Sequence, residues 1–466
     1  MSRIDASRRR FLRTAALTSI VGPGAPFALN LATMSAAQAQ TTDYRALVCL
    51  FFNGGNDHAN MVLATDSASW AEYRRARNVA PMPIALPEPG AGGGVLPISP
   101  VTPQAGRSFA LHPSMGQLVG EFNANRVAVL ANVGPLVEPL TKAQWNSRSG
   151  RRPPQLFSHN DQTSIWQAYK PEGARVGWGG RMGDLMASMN QYANFTAITA
   201  SGNAVWLSGE TVLQYQASAQ GAITIQGLTG GLFGSTASAN PLRDIVTGDR
   251  GNLFEKEHAR VVQRAVDAQV ALTGAMAAIP EGSLPAPPAN NGLANQLRTV
   301  ARIIGSRNTL QMRRQVFFVS IGGFDTHDNQ TAQHATLMQR VSDAIAYFNG
   351  LMAQPSINAA SQVTLFTASE FGRTLTSNGD GTDHGWGAHH FVAGAAVRGR
   401  DVYGRFPVIG QNTDDDVGQG RLLPSLSVDQ YAGTLARWYG LSDAQVAEIF
   451  PNIVNFGSSR YLGFMS

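Results

Sequence analysis

Disulfides, membrane spans and a dominant charge of one sign are all missing from this chain of 466 residues. Its single cysteine, Cys49, lies inside the apolar run Ala46–Phe52, where a thiol behaves as a small buried hydrophobe. That excludes a disulfide framework and a thiolate site. No run of ~18 or more apolar residues occurs, which excludes an evident membrane-spanning helix. The formal net charge is +5, but residues 1–39 hold Arg3, Arg8, Arg9, Arg10 and Arg13 against Asp5 alone, so only +1 remains beyond them. The basic balance therefore gives no argument for a nucleic-acid partner. Charged residues are scarce at 14% while glycine is abundant at 49, which favours a compact enzyme-like body with many loops. No period of 20–50 residues repeats, so a solenoid or propeller is not expected.

What is present begins with an address. Ser7-Arg8-Arg9-Arg10-Phe11-Leu12 reads as a twin-arginine signal, followed by a weakly apolar stretch and by Ala37-Gln38-Ala39 as a cleavage site. Residues 1–39 are predicted to leave with the signal. The product is expected to be periplasmic or secreted, without a membrane anchor. Residues 40–466 read as a single α/β domain with a central, mostly parallel sheet sandwiched by helices. A β-rich, cap-like insertion is expected near 180–310, because Thr196–Ala200, Ala204–Ser208 and Ala222–Gln226 alternate among many Gly, Ser and Thr.

Four apolar runs have the look of buried strands: Ala46–Phe52, Arg126–Asn132, Gln315–Ile321 and Val363–Thr367. Three of them end in chemistry. Asn53-Gly54-Gly55-Asn56-Asp57-His58 follows the first, and either a site acid or a plain Asx turn explains Asp57. Gly322-Gly323-Phe324-Asp325-Thr326-His327 follows the third and repeats the pattern, with Asp-x-His as a metal signal. The fourth leads through Glu370 and Arg373 to Asp383, His384, His389 and His390, a loop suited to wrapping Zn or Mn, or else a polar surface loop. Ser158, ahead of the helical stretch Thr163–Tyr169, is either an N-cap or a serine placed where a helix start would stabilise an anion. Phe109–Asn123 is spaced as a helix. His334 is expected at the surface, and Asp414-Asp415-Asp416 as a solvated turn.

The twin-arginine start, Phe51–Asn60 (FFNGGNDHAN), Leu111–Pro113, Ser158–Gln162 (SHNDQ), Gly322–Gln330 (GGFDTHDNQ) and Ser369–Thr374 with Thr382–Gly385 (SEFGRT, TDHG) together resemble an exported family. That family is catalogued as domain of unknown function 1501, and the likeness spans nearly the whole mature chain. It is grouped with the alkaline phosphatase and sulfatase superfamily, which implies two metal sites and a nucleophile at a helix start. By that resemblance Asp57 is similar to a first-strand metal aspartate, Ser158 to the nucleophile, and Asp325 with His327 to an Asp/His metal pair. Glu370 stands where the superfamily usually has Asp-His, and Asp383-His384 would supply the displaced imidazole.

The expectation is an exported metal-dependent hydrolase of phosphate or sulfate esters. Asp57, Asp325, His327, Glu370, Asp383 and His384 would hold one or two divalent ions (Zn, Mn or Ca). Ser158 or a metal-bound hydroxide would attack, and Arg373 or His159 would neutralise the ester oxygens. The partner would be a small anionic ester or glycan. The alternative is a non-catalytic exported protein that binds a glycan or assembles with another exported protein.

Overall fold

Strand β1, Arg45–Phe52, is buried along its length and shows why the chain layers as it does. Ala46, Val48, Leu50 and Phe52 face one core, with Leu297 and Val300 of the helix Gly292–Gly305 and Met338 and Val341 of the helix Gln330–Met352. Leu47, Cys49 and Phe51 face the other, with Trp178 of the helix Trp178–Met186 and Tyr431 of the helix Val428–Tyr439. A strand apolar on both sides of its pleat needs cover on both faces, and helices supply it. The computed structural model describes residues 44–466 apart from 219–220, 225, 230–234 and 236–238, so the expected signal over residues 1–39 lies outside the described residues.

The main sheet adds β2 (Val127–Gly134), β3 (Ala197–Thr199), β4 (Tyr215–Ser218), β5 (Gly221–Ala222) and β6 (Arg314–Ile321). It is completed by β7 (Val363–Ser369), β8 (Ala388–Ala393), β9 (Val402–Tyr403) and β10 (Leu426–Ser427). Its order is β9-β2-β8-β7-β1-β6-β3-β4-β5, with β10 also paired to β2. All pairings are parallel except those of β8 with β7 and β2, and of β5 with β4. The result is a mixed α/β fold around a large, mostly parallel sheet.

Several expectations change here. The 197–222 region is not a separate cap: β3 pairs with β6 and carries β4 and β5, so these short strands extend the central sheet. Ala204–Ser208 holds a 3-10 turn, Val205–Leu207, in place of a strand. Phe109–Asn123 splits into a strand, Phe109–Leu111, and a helix, Gly116–Asn123. Pro113 lies between them, and the residue before a proline is pushed out of helical geometry. His389 and His390 lie in β8 and are buried, so they are strand residues, not loop ligands. His334 is buried as well, with Nε2 3.0 Å from Asn56 Oδ1. Asp415 and Asp416 are buried too. Asp415 pairs with Arg405, and Asp416 accepts the backbone N–H groups of Asn412, Gly418 and Gly420. Among the described residues no helix is long and apolar enough to cross a membrane.

Candidate metal centre

Parallel strands deliver their carboxyl ends to one rim, so the turns after β1, β6 and β7 meet there. β8 runs the other way, and its entry rather than its exit lies at that rim. The hairpin of Arg373–Ser377 with Thr382–His384, which precedes β8, is thereby brought beside the turns after β1 and β6. Gly54, at φ +116°, lets the β1 turn lie against the β6 turn: a Cβ there would collide with the Asp325 backbone nitrogen. Arg373, fully buried, ties the turns together. Its guanidinium donates to the carbonyls of Gly54, Gly55, Phe324 and Thr382 and to the Asp325 carboxylate.

Three imidazoles converge on one oxygen at this rim. Nε2 of His159, His327 and His384 lie 3.4, 3.1 and 3.4 Å from Asp325 Oδ1, and the His327 and His384 Nε2 atoms are 3.0 Å apart. Each ring turns its other nitrogen to an oxygen acceptor. His159 Nδ1 is 3.1 Å from Glu370 Oε1, His327 Nδ1 is 3.4 Å from Asp383 Oδ1, and His384 Nδ1 is 2.9 Å from the Phe157 carbonyl. A carbonyl or carboxylate accepts only, so neutral His159 and His384 carry their proton on Nδ1 and present a bare Nε2, whereas His327 makes its hydrogen bond through Nε2, to His384. A proton on His327 Nε2, or a cation between the two nitrogens, accounts for their 3.0 Å approach. His159 Nε2 is shut from solvent and makes no hydrogen bond among the described residues.

Electrostatics sharpen the picture. Burial would raise the Asp325 pKa, but the hydrogen bond and charge of Arg373 together with the neighbouring imidazoles outweigh that and hold the carboxyl below its ordinary value. His159 is raised, chiefly by its hydrogen bond to Glu370. His384 is lowered, chiefly by burial, which favours its unprotonated form.

The expected residues thus divide by place. Asp325, His327 and His384 lie at the point of convergence. His159, expected against ester oxygens, stands with them. Glu370 and Asp383, expected as ligands, instead sit behind His159 and His327, where carboxylates orient imidazoles. Glu370 Oε1 also accepts the Gly54 N–H at 2.7 Å. Arg373 is a buried strut rather than an open clamp. Asp57 is away from the convergence altogether: its carboxylate accepts two bonds from Arg77, one from Gln330 and one from the Ala59 N–H, which fills its lone pairs. Ser158 occupies the N-cap position of the helix His159–Ala168 without capping it by its side chain, and its hydroxyl donates to Asp161 Oδ2 at 2.8 Å.

Residues 44–450 match the model of a family described as "Protein of unknown function (DUF1501)". The chain belongs to the DUF1501 family. Comparison with curated proteins gives no match. Among solved structures, this DUF1501 protein is similar to the crystal structure of Ps i-CgsB in complex with k-i-k-neocarrahexaose, at 7% identity and a TM-score of 0.34. That likeness covers 88% of this chain and 76% of the other, and is too slight to assign fold or activity.

Two residues of this DUF1501 chain went unremarked in its sequence. Arg77, in the helix Ser67–Arg77, is fully buried against Asp57, and among many exposed arginines nothing local marks it out. Arg421 donates from Nε to the His384 carbonyl at 2.7 Å. Its link to the site exists only through the fold.

Proposed function

We propose that this protein is an exported, metal-dependent hydrolase of phosphate or sulfate esters, acting at the rim formed by His159, Asp325, His327 and His384. The convergence of the His159 and His384 Nε2 atoms on Asp325 Oδ1, with His327 Nε2 beside them, carries the reading. Ligand atoms about 2.1 Å from one tetrahedral ion stand roughly 3.4 Å from one another, and the 3.4 Å separations of His159 and His384 Nε2 from Asp325 Oδ1 suit three ligands of such a set. The orphaned His159 Nε2 fits the same role. Two imidazoles and one carboxylate favour Zn or Mn over Ca. Such an ion would polarise an ester oxygen and lower the pKa of water.

The chain's own residues do the positioning. Glu370, Asp383 and the Phe157 carbonyl fix the ring orientations, and Arg373 holds Asp325 against the β1 turn. Ser158 is the candidate covalent nucleophile: it opens a ten-residue helix whose N-terminus favours anions, and Asp161 is in place to accept its proton. The resemblance to the alkaline phosphatase and sulfatase superfamily supports the ester class. Export follows from the twin-arginine segment Ser7–Leu12.

The test combines metal analysis of the exported protein with hydrolysis assays on aryl phosphate, phosphodiester and aryl sulfate. Bound Zn or Mn with turnover, both lost in Asp325→Ala and His384→Ala while the fold persists, is expected. Turnover unchanged in those variants sinks the assignment. A non-catalytic binding or assembly protein is the second reading. It is favoured by Leu253 and Phe254, 76% and 84% exposed at the start of the helix Leu253–Met276. Metal-loaded protein inactive on every ester would turn the choice to it.

A further inference from the structure

Arg421 is held in a closed ring of contacts around a candidate ligand. Its Nε donates to the His384 carbonyl at 2.7 Å, and its Nη1 to the Gly418 carbonyl at 3.3 Å. Its guanidinium lies 5.2 Å from the centroid of the Phe157 ring, and Phe157 in turn accepts the Nδ1–H of His384. The guanidinium is therefore fixed on three sides. Nη2 makes no hydrogen bond among the described residues, and the side chain is only half-buried. Asp383 and Asp416 act on it through their charge, yet neither forms an ion pair with it.

Trp145 packs in one cluster with Phe157 and Trp386 and carries a further cation. The helix Lys142–Ser147 brings Trp145 to 5.4 Å from Trp386, two residues beyond His384. Arg152 stacks 4.2 Å over Trp145, and Arg148 has no carboxylate partner among the described residues. Arg151 alone in this loop is neutralised, by Glu138. A planar fork anchored on two carbonyls with donors left over suits a tetrahedral oxyanion, which accepts parallel N–H bonds. Neutral esters offer no such partner.

We propose that Arg421 is the anion-recognising residue of this rim, taking a non-bridging oxygen of a phosphoryl or sulfuryl group through Nη2, with Arg152 as an outer cation that attracts it. The proposal rests on the metal-site reading above. Calorimetric titration of the metal-loaded exported protein with inorganic phosphate, and separately with inorganic sulfate, tests it without requiring turnover. Binding of at least one of the two is expected, weakened ten-fold or more in Arg421→Gln and partly recovered in Arg421→Lys, at equal metal content. Which titration responds separates phosphoryl from sulfuryl recognition. Equal affinity in Arg421→Gln overturns the proposal, as does absence of anion binding by the metal-loaded wild type. Loss of metal from Arg421→Gln also overturns it, because Arg421 would then be a support for His384. Should that variant fail to fold, phenylglyoxal labelling of the wild type read by mass spectrometry decides: phosphate or sulfate must protect Arg421, and no protection sinks the idea. A wild type that holds no metal at all would instead sink the reading on which this one stands.

Discussion

Asp57→Asn separates an ion pair from a metal ligand. Asp57 and Arg77 are both fully buried, and Arg77 contacts the carboxylate with two nitrogens while also bonding the carbonyls of Thr374 and Leu375. Removing the negative charge strands a buried guanidinium, which costs about 3–5 kcal/mol. With unfolding entropy of about 2.1 cal/mol/K per residue over roughly 420 residues, each kcal/mol shifts Tm by about 1 °C, so a fall of about 3–6 °C is expected. Acid adds a second signature. Burial would raise the Asp57 pKa, but the Arg77 charge and bonds outweigh it and hold the carboxyl far below the carboxylate range. A folded pKa below the unfolded value of about 3.9 gives stability that is present above it and lost as pH falls further. The wild-type Tm should therefore drop below about pH 4, and Asp57→Asn should drop less. Differential scanning calorimetry against pH, with metal analysis of the same samples, reads all three quantities. Metal lost from folded Asp57→Asn, or a Tm unchanged at neutral pH, would refute the ion-pair account.

Glu370→Gln and Asp383→Asn should each lower metal affinity by about 10–100-fold without abolishing binding, since both carboxylates sit behind imidazoles. Competition against a chelator measures this, and unchanged affinity in both variants would remove their orienting role. Asp429 concerns stability alone. Burial pushes its carboxyl up to about 7, and its Oδ1 has no hydrogen-bond partner among the described residues. A raised folded pKa means stability is lost as pH rises from about 4 to about 7. Asp429→Asn should thus raise Tm at pH 8, where it relieves up to about 4 kcal/mol, and leave it nearly unchanged at pH 4. Equal Tm values at pH 8 would contradict that.

The layered fold was legible because its strands are continuous apolar runs. Ala46–Phe52, Gln315–Ile321 and Val363–Thr367 can satisfy both faces of their pleat only in a covered sheet, and the glycine pairs after the first two mark where each strand must turn. Asp325, His327 and His384 could be singled out for the same reason, since acids and imidazoles directly after buried strands must surface at one rim. Local patterning could not say which of several such groups share a point in space. Asp57 and Asp325 follow near-identical strand-Gly-Gly signals, yet Asp57 meets Arg77, from a helix ending 20 residues on, and Asp325 meets three imidazoles. Only packing distinguishes them. The antiparallel placement of β8 was likewise invisible, and with it the burial of His389 and His390.

By itself, then, the sequence determined the class of fold and the rim at which polar side chains collect, because periodicity and composition are local and each strand carries its own. Tertiary structure alone decided which nitrogen of His159 and of His384 is turned to the convergence, which carboxylate is spent on an arginine and that Arg421 borders the site. Those assignments depend on contacts between residues tens to hundreds of positions apart, and no local pattern encodes them.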